Sequence, residues 1–231
     1  MELIERGQAL GLLQQALDSA GRGCGRTALV CGEAGIGKTS LVSELVNAHS
    51  DGNVLWGGCE ALFSPRPLGP LYDMAPALGT RVTSMLGLEG GRVELFASFL
   101  ASLQEAVGTT VVVLEDLHWA DAATLDLVKF LGRRIQRVRA LLVLSYRDDE
   151  LDERHPLQHV LGDLPANAVV RVPLPPLSEA GVDELARQSH RSAEGIYAAT
   201  GGNPFFVTEA LRADGLPATV RDAVLARAAL R

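Results

Sequence analysis

The chain has 231 residues, of which 47% are hydrophobic and 21% are charged, and its formal net charge at pH 7 is −7. This length allows one large domain, or a core with a small companion, and the acidic balance argues against direct nucleic-acid binding through a phosphate-neutralising surface. No apolar run reaches the ~18 residues that span a bilayer, and residues 1–10 lack the basic and then apolar order of a secretory signal. We therefore expect a cytoplasmic protein that contacts no membrane.

Short apolar runs alternate with longer amphipathic stretches, a pattern typical of a parallel β-sheet covered by helices. The predicted strands are residues 26–31, 54–56, 110–114, 140–145 and 168–172. The predicted helices are residues 3–20, 38–49, 92–106, 122–135 and 178–188. Asp121 and Ser178 stand where the N-caps of the last two helices belong. The fold class predicted from this order is α/β.

Proline-rich segments divide the predicted elements. Residues 63–76 contain four prolines and a glycine, which predicts an irregular excursion. After the Pro-Leu-Pro-Pro sequence at 173–176 the strand pattern ends and the rest is helical, so we place a boundary between a sheet-based core, 1–176, and a helical segment, 177–231. A last predicted helix begins at Pro217 and stops with the chain, which indicates a truncated chain or part of a larger protein.

A glycine-rich stretch follows the first strand and opens the second helix. Residues 32–39 fit the phosphate-loop pattern GxxxxGK[ST], and the residues expected to bind phosphates are Gly32, Glu33, Ala34, Gly35, Ile36, Gly37, Lys38 and Thr39. The glycines allow close backbone approach to a ligand, and the helix N-terminus attracts anions. Lys38, one of only two lysines in the chain, supplies a compact positive charge, and the Thr39 hydroxyl suits Mg²⁺.

A second motif lies at the end of the third strand, where VVVL is followed by Glu115 and Asp116. Parallel strands end at the crevice where open α/β sheets bind ligands, so these acids read as a Walker B pair. We expect Glu115 to hold Mg²⁺ through water and Asp116 to polarise the attacking water. His118 and Trp119 are better explained as packing or interface residues than as catalysts.

With both motifs in place, the chain resembles the ATPase module of the large LuxR-type (LAL, MalT-related) transcription regulators, in the STAND branch of P-loop ATPases. The resemblance runs almost end to end, through LIERGQALGLL, GCEALFSPRPLGPLYDMA, VVVLEDLHWADAATLDLVKFL, ALLVLSYRDDEL, ATGGNPFFVTEAL and LPATVRDAVLARAAL. It implies an ASCE/AAA+-like P-loop fold with a C-terminal helical lid, followed by the start of a winged-helix-like region. It also implies ATP or ADP with Mg²⁺ as ligands, and ATP-dependent self-association.

The resemblance extends the nucleotide-binding loop to Ser40, so that residues 32–40 match it, and assigns roles to three residues outside the two motifs. Arg6 matches the arginine of an N-terminal motif near the base, although the sequence Glu-Arg-Gly departs from the usual pattern around it. Arg147, at the end of ALLVLSYR, matches the sensor arginine that reads the γ-phosphate. Pro204, in Gly-Asn-Pro, matches the lid proline that rests near the adenine. Lys38, Glu115, Asp116 and Arg147 are thus the candidate catalytic residues, with Thr39 and Glu115 at the metal.

The order of the two acids predicts slow hydrolysis. Related ATPases most often have Asp before Glu, whereas here the shorter side chain of Asp116 stands second and leaves the water ~1.5 Å further away. A misplacement of this size can cost about 10²-fold in rate. The leading hypothesis is therefore a slowly hydrolysing signalling switch. The alternatives are a non-hydrolysing nucleotide-bound scaffold or truncated fragment acting through protein contacts and, more weakly supported, a small-molecule kinase.

Overall fold

The centre of the fold is a five-stranded parallel sheet. The computed structural model describes residues 3–49, 52–88 and 91–212. The strands are β1 (Arg26–Cys31), β2 (Asn53–Gly58), β3 (Thr110–Glu115), β4 (Ala140–Tyr146) and β5 (Val169–Pro173), in the spatial order β2-β3-β4-β1-β5. Because all of these strand pairs are parallel, their carboxyl ends meet at one edge of the sheet.

Helices cover both faces of the sheet. They are α1 (Gly7–Gly21), α2 (Lys38–Ala48), α3 (Gly69–Met74), α4 (Thr80–Thr83), α5 (Arg92–Glu105), α6 (Ala122–Gly132), α7 (Pro156–Gly162), α8 (Glu179–Gln188), α9 (Ile196–Thr200) and α10 (Pro204–Arg212). Alternate residues of a strand point to opposite faces. Accordingly, Val111 and Val113 pack with α1 and α2, whereas Val112 and Leu114 pack with the helices of the other face, α3 to α7.

The last three described helices have an apolar cluster of their own. Leu177, Val182, Leu185, Val207 and Leu211 are buried together, with Ile4 and Ile196 packed against them. Leu177 N also donates a hydrogen bond to Gly202 O, at 2.8 Å, which joins the chain before α8 to the turn before α10. These helices lie at the edge where the strands end, because the loop after β1 contacts the start of α10.

The structure confirms the predicted fold class and all five strands. The first helix begins at Gly7 and not at residue 3, because Glu5 takes a left-handed conformation (φ 56°) and Arg6 occupies the N-cap position. Residues 63–76 are not wholly irregular, since α3 lies within them and a 3₁₀ turn, Ala75–Ala77, begins within them. Pro70 is tolerated because it stands in the first turn of α3.

Of two further predicted helices, one is shorter than expected and the other cannot be compared with the structure. The predicted helix 122–135 ends at Gly132 and continues as a separate 3₁₀ turn, Ile135–Arg137. The helix predicted from Pro217 lies outside the described residues. None of the helices in the described part of the chain is long and apolar enough to cross a membrane.

Candidate functional site

The glycine-rich loop, residues 32–39, wraps around the amine of Lys38. Lys38 Nζ donates hydrogen bonds to the carbonyl oxygens of Gly32, at 2.7 Å, and Glu33, at 2.9 Å. Gly35 and Gly37 have φ angles of 73° and 99°, a region that residues with a Cβ rarely adopt. The sequence therefore folds here into a turn that a bulkier residue would strain.

The loop leads directly into α2, whose first amide groups have no side-chain cap. Gly37 is the N-cap residue, and no side chain accepts a hydrogen bond from the first turn. Unpaired amide groups at a helix N-terminus form an anion site, which the helix dipole strengthens. Burial lowers the pKa of the nearby Lys38 amine, while the charge of Asp116 raises it. A bound anion would favour the protonated form of this lysine.

The two acids after β3 have different surroundings. Glu115 accepts hydrogen bonds from Thr39 Oγ1, at 2.6 Å, and from Trp56 Nε1, at 2.8 Å, so both of its oxygens are fixed. Asp116 has a left-handed backbone conformation (φ 55°), and its N–H donates to Ser145 Oγ at 3.1 Å. Glu115 is thus held against the start of α2, whereas Asp116 lines the cavity beside the glycine-rich loop.

Arg147 follows β4, which lies between β3 and β1, and therefore comes between the acids and the glycine-rich loop. Its guanidinium forms an ion pair with Glu150 and lies 4.9 Å from the centroid of the Trp119 ring. The side chain also lines the cavity that Lys38 and Asp116 line. Arg147 can donate to a phosphate in this cavity while its guanidinium stays over the Trp119 ring in a cation–π contact.

Arg6 is buried and spans two segments that are distant in sequence. Its Nη2 donates to Ile36 O, at 3.2 Å, and to Pro175 O, at 2.9 Å. The neighbouring Glu5 carboxylate accepts hydrogen bonds from the N–H and hydroxyl of Ser178, and these hydrogen bonds lower the pKa of Glu5. Residues 5 and 6 thus join the glycine-rich loop to the segment that enters α8.

The start of α10 contacts the glycine-rich loop directly. Asn203, which is 1% exposed, donates from Nδ2 to Ala34 O at 2.9 Å. Phe205 N donates to Gly35 O at 3.2 Å, and a Cβ added to Gly35 would lie 2.7 Å from Phe205 Cβ. Gly35 is therefore needed for this close approach as well as for its backbone conformation.

A cavity of about 490 Å³ lies between the glycine-rich loop and the α8–α10 segment, within the range of small-molecule sites. One end carries the polar groups described above. The other is lined mainly by apolar side chains from the N-terminal segment and the last helices: Leu3, Ile4, Leu177, Leu185, Pro204 and Phe205. A polar end with cationic donors and an apolar end fit a nucleotide, whose phosphates are anionic and whose base is flat and largely apolar.

The same residues can complete a magnesium site. Thr39 and Glu115 place two oxygen ligands side by side. In the described part of the chain, no group of three or more His, Cys, Asp or Glu residues is placed to hold a metal. A magnesium ion here would take its other ligands from phosphate and water, as Mg²⁺ commonly does. A metal ion held by these residues would supply charge neutralisation for the phosphates.

The structure brings most of the predicted site residues together. The cavity is lined by Arg6, Ala34, Gly35, Ile36, Gly37, Lys38, Thr39, Ser40, Asp116, Arg147 and Pro204. Gly32 and Glu33 contribute carbonyl oxygens to Lys38, and Glu115 is joined to Thr39 just outside the lining. As predicted, Asp121 is the N-cap of α6, since its side chain accepts from the N–H groups of Ala123 and Thr124.

Three contributors were not predicted. Asn203 and Glu5 fix the α8–α10 segment, and Glu150 pairs with Arg147. An Asn before a Pro that starts a helix is an N-cap signal that could have drawn attention to Asn203. Nothing local in the sequence marks the other two.

Several solved structures share the fold of this chain. The Aeropyrum pernix Orc1 protein, solved in complex with DNA, is similar over 98% of this chain and 66% of its own, with 19% identity and a TM-score of 0.63. The Holliday junction branch migration motor RuvB of Thermotoga maritima is similar over 96% of this chain and 69% of its own, with 14% identity and a TM-score of 0.52.

A third similar structure is the Signal Transduction ATPase with Numerous Domains (STAND) protein with a tetratricopeptide repeat sensor from Pyrococcus horikoshii. It is similar over 93% of this chain, with 16% identity and a TM-score of 0.56. This chain spans only 32% of that protein. At these identities the likenesses show the fold alone.

The sequence itself carries a family signature. No curated protein matches the chain significantly in sequence. The family model for the AAA ATPase domain matches residues 2–144, which include the glycine-rich loop and the two acids after β3. This match covers more than half of the chain, and the five-stranded parallel sheet agrees with it. The chain belongs to the AAA ATPase domain family.

Proposed function

We propose that the chain binds ATP with Mg²⁺, hydrolyses it slowly and acts as the switch module of a LuxR-type transcription regulator. The main support for a switch is that the start of α10 is hydrogen-bonded to the glycine-rich loop. Asn203 donates to Ala34, and Phe205 donates to Gly35. A ligand in the cavity therefore contacts the sheet-based core and the helical segment at once. A ligand with three phosphates and a ligand with two can therefore favour different arrangements of the helical segment against the sheet-based core.

The roles of the residues follow from their positions. Lys38 and the uncapped start of α2 bind the β- and γ-phosphates, and Thr39 with Glu115 holds the metal. Asp116 faces the cavity and polarises the attacking water. Arg147 reaches the γ-phosphate from the end of β4.

The apolar end of the cavity suits the base. Pro204 and Leu177 line it from the helical segment, and Leu3 and Ile4 line it from the N-terminus. Arg6 supports this end by holding the backbone at Ile36 and Pro175. The Arg6 guanidinium already has these two acceptors, so we assign it to holding the pocket together more than to selecting adenine.

Two observations support the regulator role. The likeness to a STAND protein with a repeat sensor agrees with a signalling ATPase followed by further domains. The separate apolar cluster around Leu177 and Val207 supports a boundary between a core, 1–176, and a helical lid segment that begins at 177. In this proposal, residues 177–231 comprise the lid segment and the start of a winged-helix-like region. Self-association in the ATP state is part of the same proposal.

The hydrolysis part is tested by phosphate release over several hours with ATP and Mg²⁺. Wild type should release phosphate slowly, and Asp116→Asn should lower the rate by about 10²-fold, the usual contribution of a positioned base. Asp126→Asn is the matched control, because Asp126 is exposed on α6 and pairs with Arg92. Background release by all three proteins, with ATP still bound, would support the non-hydrolysing scaffold instead.

A further inference from the structure

Glu150 is placed to compete with a phosphate for Arg147. It stands three residues after Arg147 in the loop that follows β4, and one of its carboxylate oxygens forms the ion pair with the guanidinium. Arginine stays charged at any ordinary pH, and its fork of donors suits a carboxylate and a phosphate equally well. Because the Arg147 side chain also lines the nucleotide cavity, the two acceptors draw on the same donors.

The other oxygen of Glu150 faces a second potential partner. Glu150 Oε2 lies 3.6 Å from His118 Nε2, slightly beyond hydrogen-bond distance. The side chain of His118 is 1% exposed, and neither of its ring nitrogens has a hydrogen-bond partner among the described residues. Buried polar atoms nearly always have a partner, and a small shift of the Glu150 carboxylate towards His118 Nε2 would complete a hydrogen bond here.

Trp119 contacts both His118 and Arg147 and limits how these two side chains can move. Its ring centroid lies 4.5 Å from that of His118 and 4.9 Å from the Arg147 guanidinium. The turn that carries both aromatic residues is held by Trp119 N donating to Asp116 O, at 2.9 Å, and by a hydrogen bond between His155 Nε2 and His118 O, at 3.1 Å. His118 and Trp119 are thus fixed, and Glu150, on an exposed loop, is the member free to change partners.

We propose that Glu150 is a positioning residue that holds Arg147 until a γ-phosphate takes its place. In the ADP state Arg147 stays with Glu150. In the ATP state Arg147 turns to the γ-phosphate, and the freed carboxylate accepts a hydrogen bond from the neutral His118 ring. This inference rests on the proposed function, because it requires a nucleotide in the cavity and Arg147 near its γ-phosphate.

The competition predicts a change in nucleotide preference. With a non-hydrolysable ATP analogue and with ADP, calorimetry gives the ratio of the two dissociation constants. Glu150→Gln should shift this ratio towards the ATP analogue by up to about fivefold, the worth of a partly exposed ion pair. ADP affinity should hardly change, since ADP does not recruit Arg147.

A double-mutant cycle separates competition from a general effect of charge. Glu150→Gln introduced into Arg147→Gln should leave the ratio unchanged, because no guanidinium remains to be released. Asp149→Asn, which removes one negative charge from the same loop, is the matched control and should not reproduce the shift.

An unchanged ratio in Glu150→Gln, or the same shift in Asp149→Asn or in the Arg147→Gln background, would overturn the role of Glu150. The proposed function has a separate test in the same experiment. Lys38→Ala should bind both nucleotides at least about thirtyfold more weakly than wild type, and a wild type that binds no ATP would defeat the proposed function itself.

Discussion

Glu115 and Asp116 are neighbours in sequence, but their side chains have different surroundings. Glu115 is held by Thr39 and Trp56, whereas Asp116 is turned towards the cavity by its left-handed backbone. Aspartate tolerates this conformation better than most residues. The order Glu-Asp therefore suits the local backbone, even though it shortens the reach of the proposed base.

Asp121 shows how far local sequence can specify a side chain's role. It accepts hydrogen bonds from Ala123 N, at 2.8 Å, and Thr124 N, at 3.1 Å, and also from Leu68 N, at 3.2 Å. The cap was predictable because it depends on residues two and three positions away. The contact with Leu68 was not, since it comes from a segment that the sequence does not place.

We predict that Asp121→Ala lowers the free energy of unfolding by about 1–2 kcal/mol, because the first turn of α6 loses its cap. Urea denaturation measures this change. Asp126→Ala, on the exposed face of the same helix, is the control and should change stability by less than about 0.5 kcal/mol. Equal losses in the two variants would mean that the Asp121 hydrogen bonds contribute nothing beyond helix propensity.

At the scale of elements, the strands were predictable because buried parallel strands form continuous apolar runs. β1 has the predicted bounds, and the other four strands differ at one or both ends by one or two residues. The short helix α3 was missed because its glycine and its proline are turn signals. Its position depends on Gly57, whose hydrogen leaves room for the backbone of Pro70.

The contact between α10 and the glycine-rich loop could not be predicted from sequence. Asn203 and Ala34 are 169 residues apart, and Arg6 reaches Pro175 over the same separation. Motifs identify which residues belong to a site, but tertiary packing decides which backbone carbonyl each side chain meets. The predicted roles of Arg6 and Pro204 stay predictions, although both line the cavity.

Asn203→Ala tests the hydrogen bonds that join the two elements. We expect a loss of about 1–3 kcal/mol in stability, because Ala34 O and Phe205 N lose a buried partner. Nucleotide affinity should fall as well, since the start of α10 would no longer be fixed on the loop. Thermal unfolding with and without nucleotide measures both effects.

The control for this variant is Asn167→Ala. Asn167 is exposed, and its side chain accepts a hydrogen bond from Gln136 on the surface. Its removal should leave nucleotide affinity unchanged. If Asn203→Ala bound nucleotide as tightly as Asn167→Ala, the contact of α10 with the loop would not contribute to binding.

At the scale of the whole molecule, the fold concentrates its polar groups at one edge of an apolar sheet. Two clusters cover the faces of the sheet, and a third joins α8 and α10 to the N-terminal segment. The ends of β1, β3 and β4 deliver Lys38, Asp116 and Arg147 to one cavity, although β4 separates the other two strands. The parallel order of the strands predicted this convergence, whereas the spatial order of the strands required the structure.

We propose that this cavity binds the phosphates of ATP through Lys38. Isothermal titration calorimetry with ATP and Mg²⁺ tests it most directly, and the chain supplies a matched control in its other lysine. Lys129 lies on α6, away from the cavity, and pairs with Asp163 on the surface. Lys38→Ala should weaken binding by at least about thirtyfold, while Lys129→Ala should bind as wild type does. Equal affinity of the two variants, or no binding by wild type, would contradict the account.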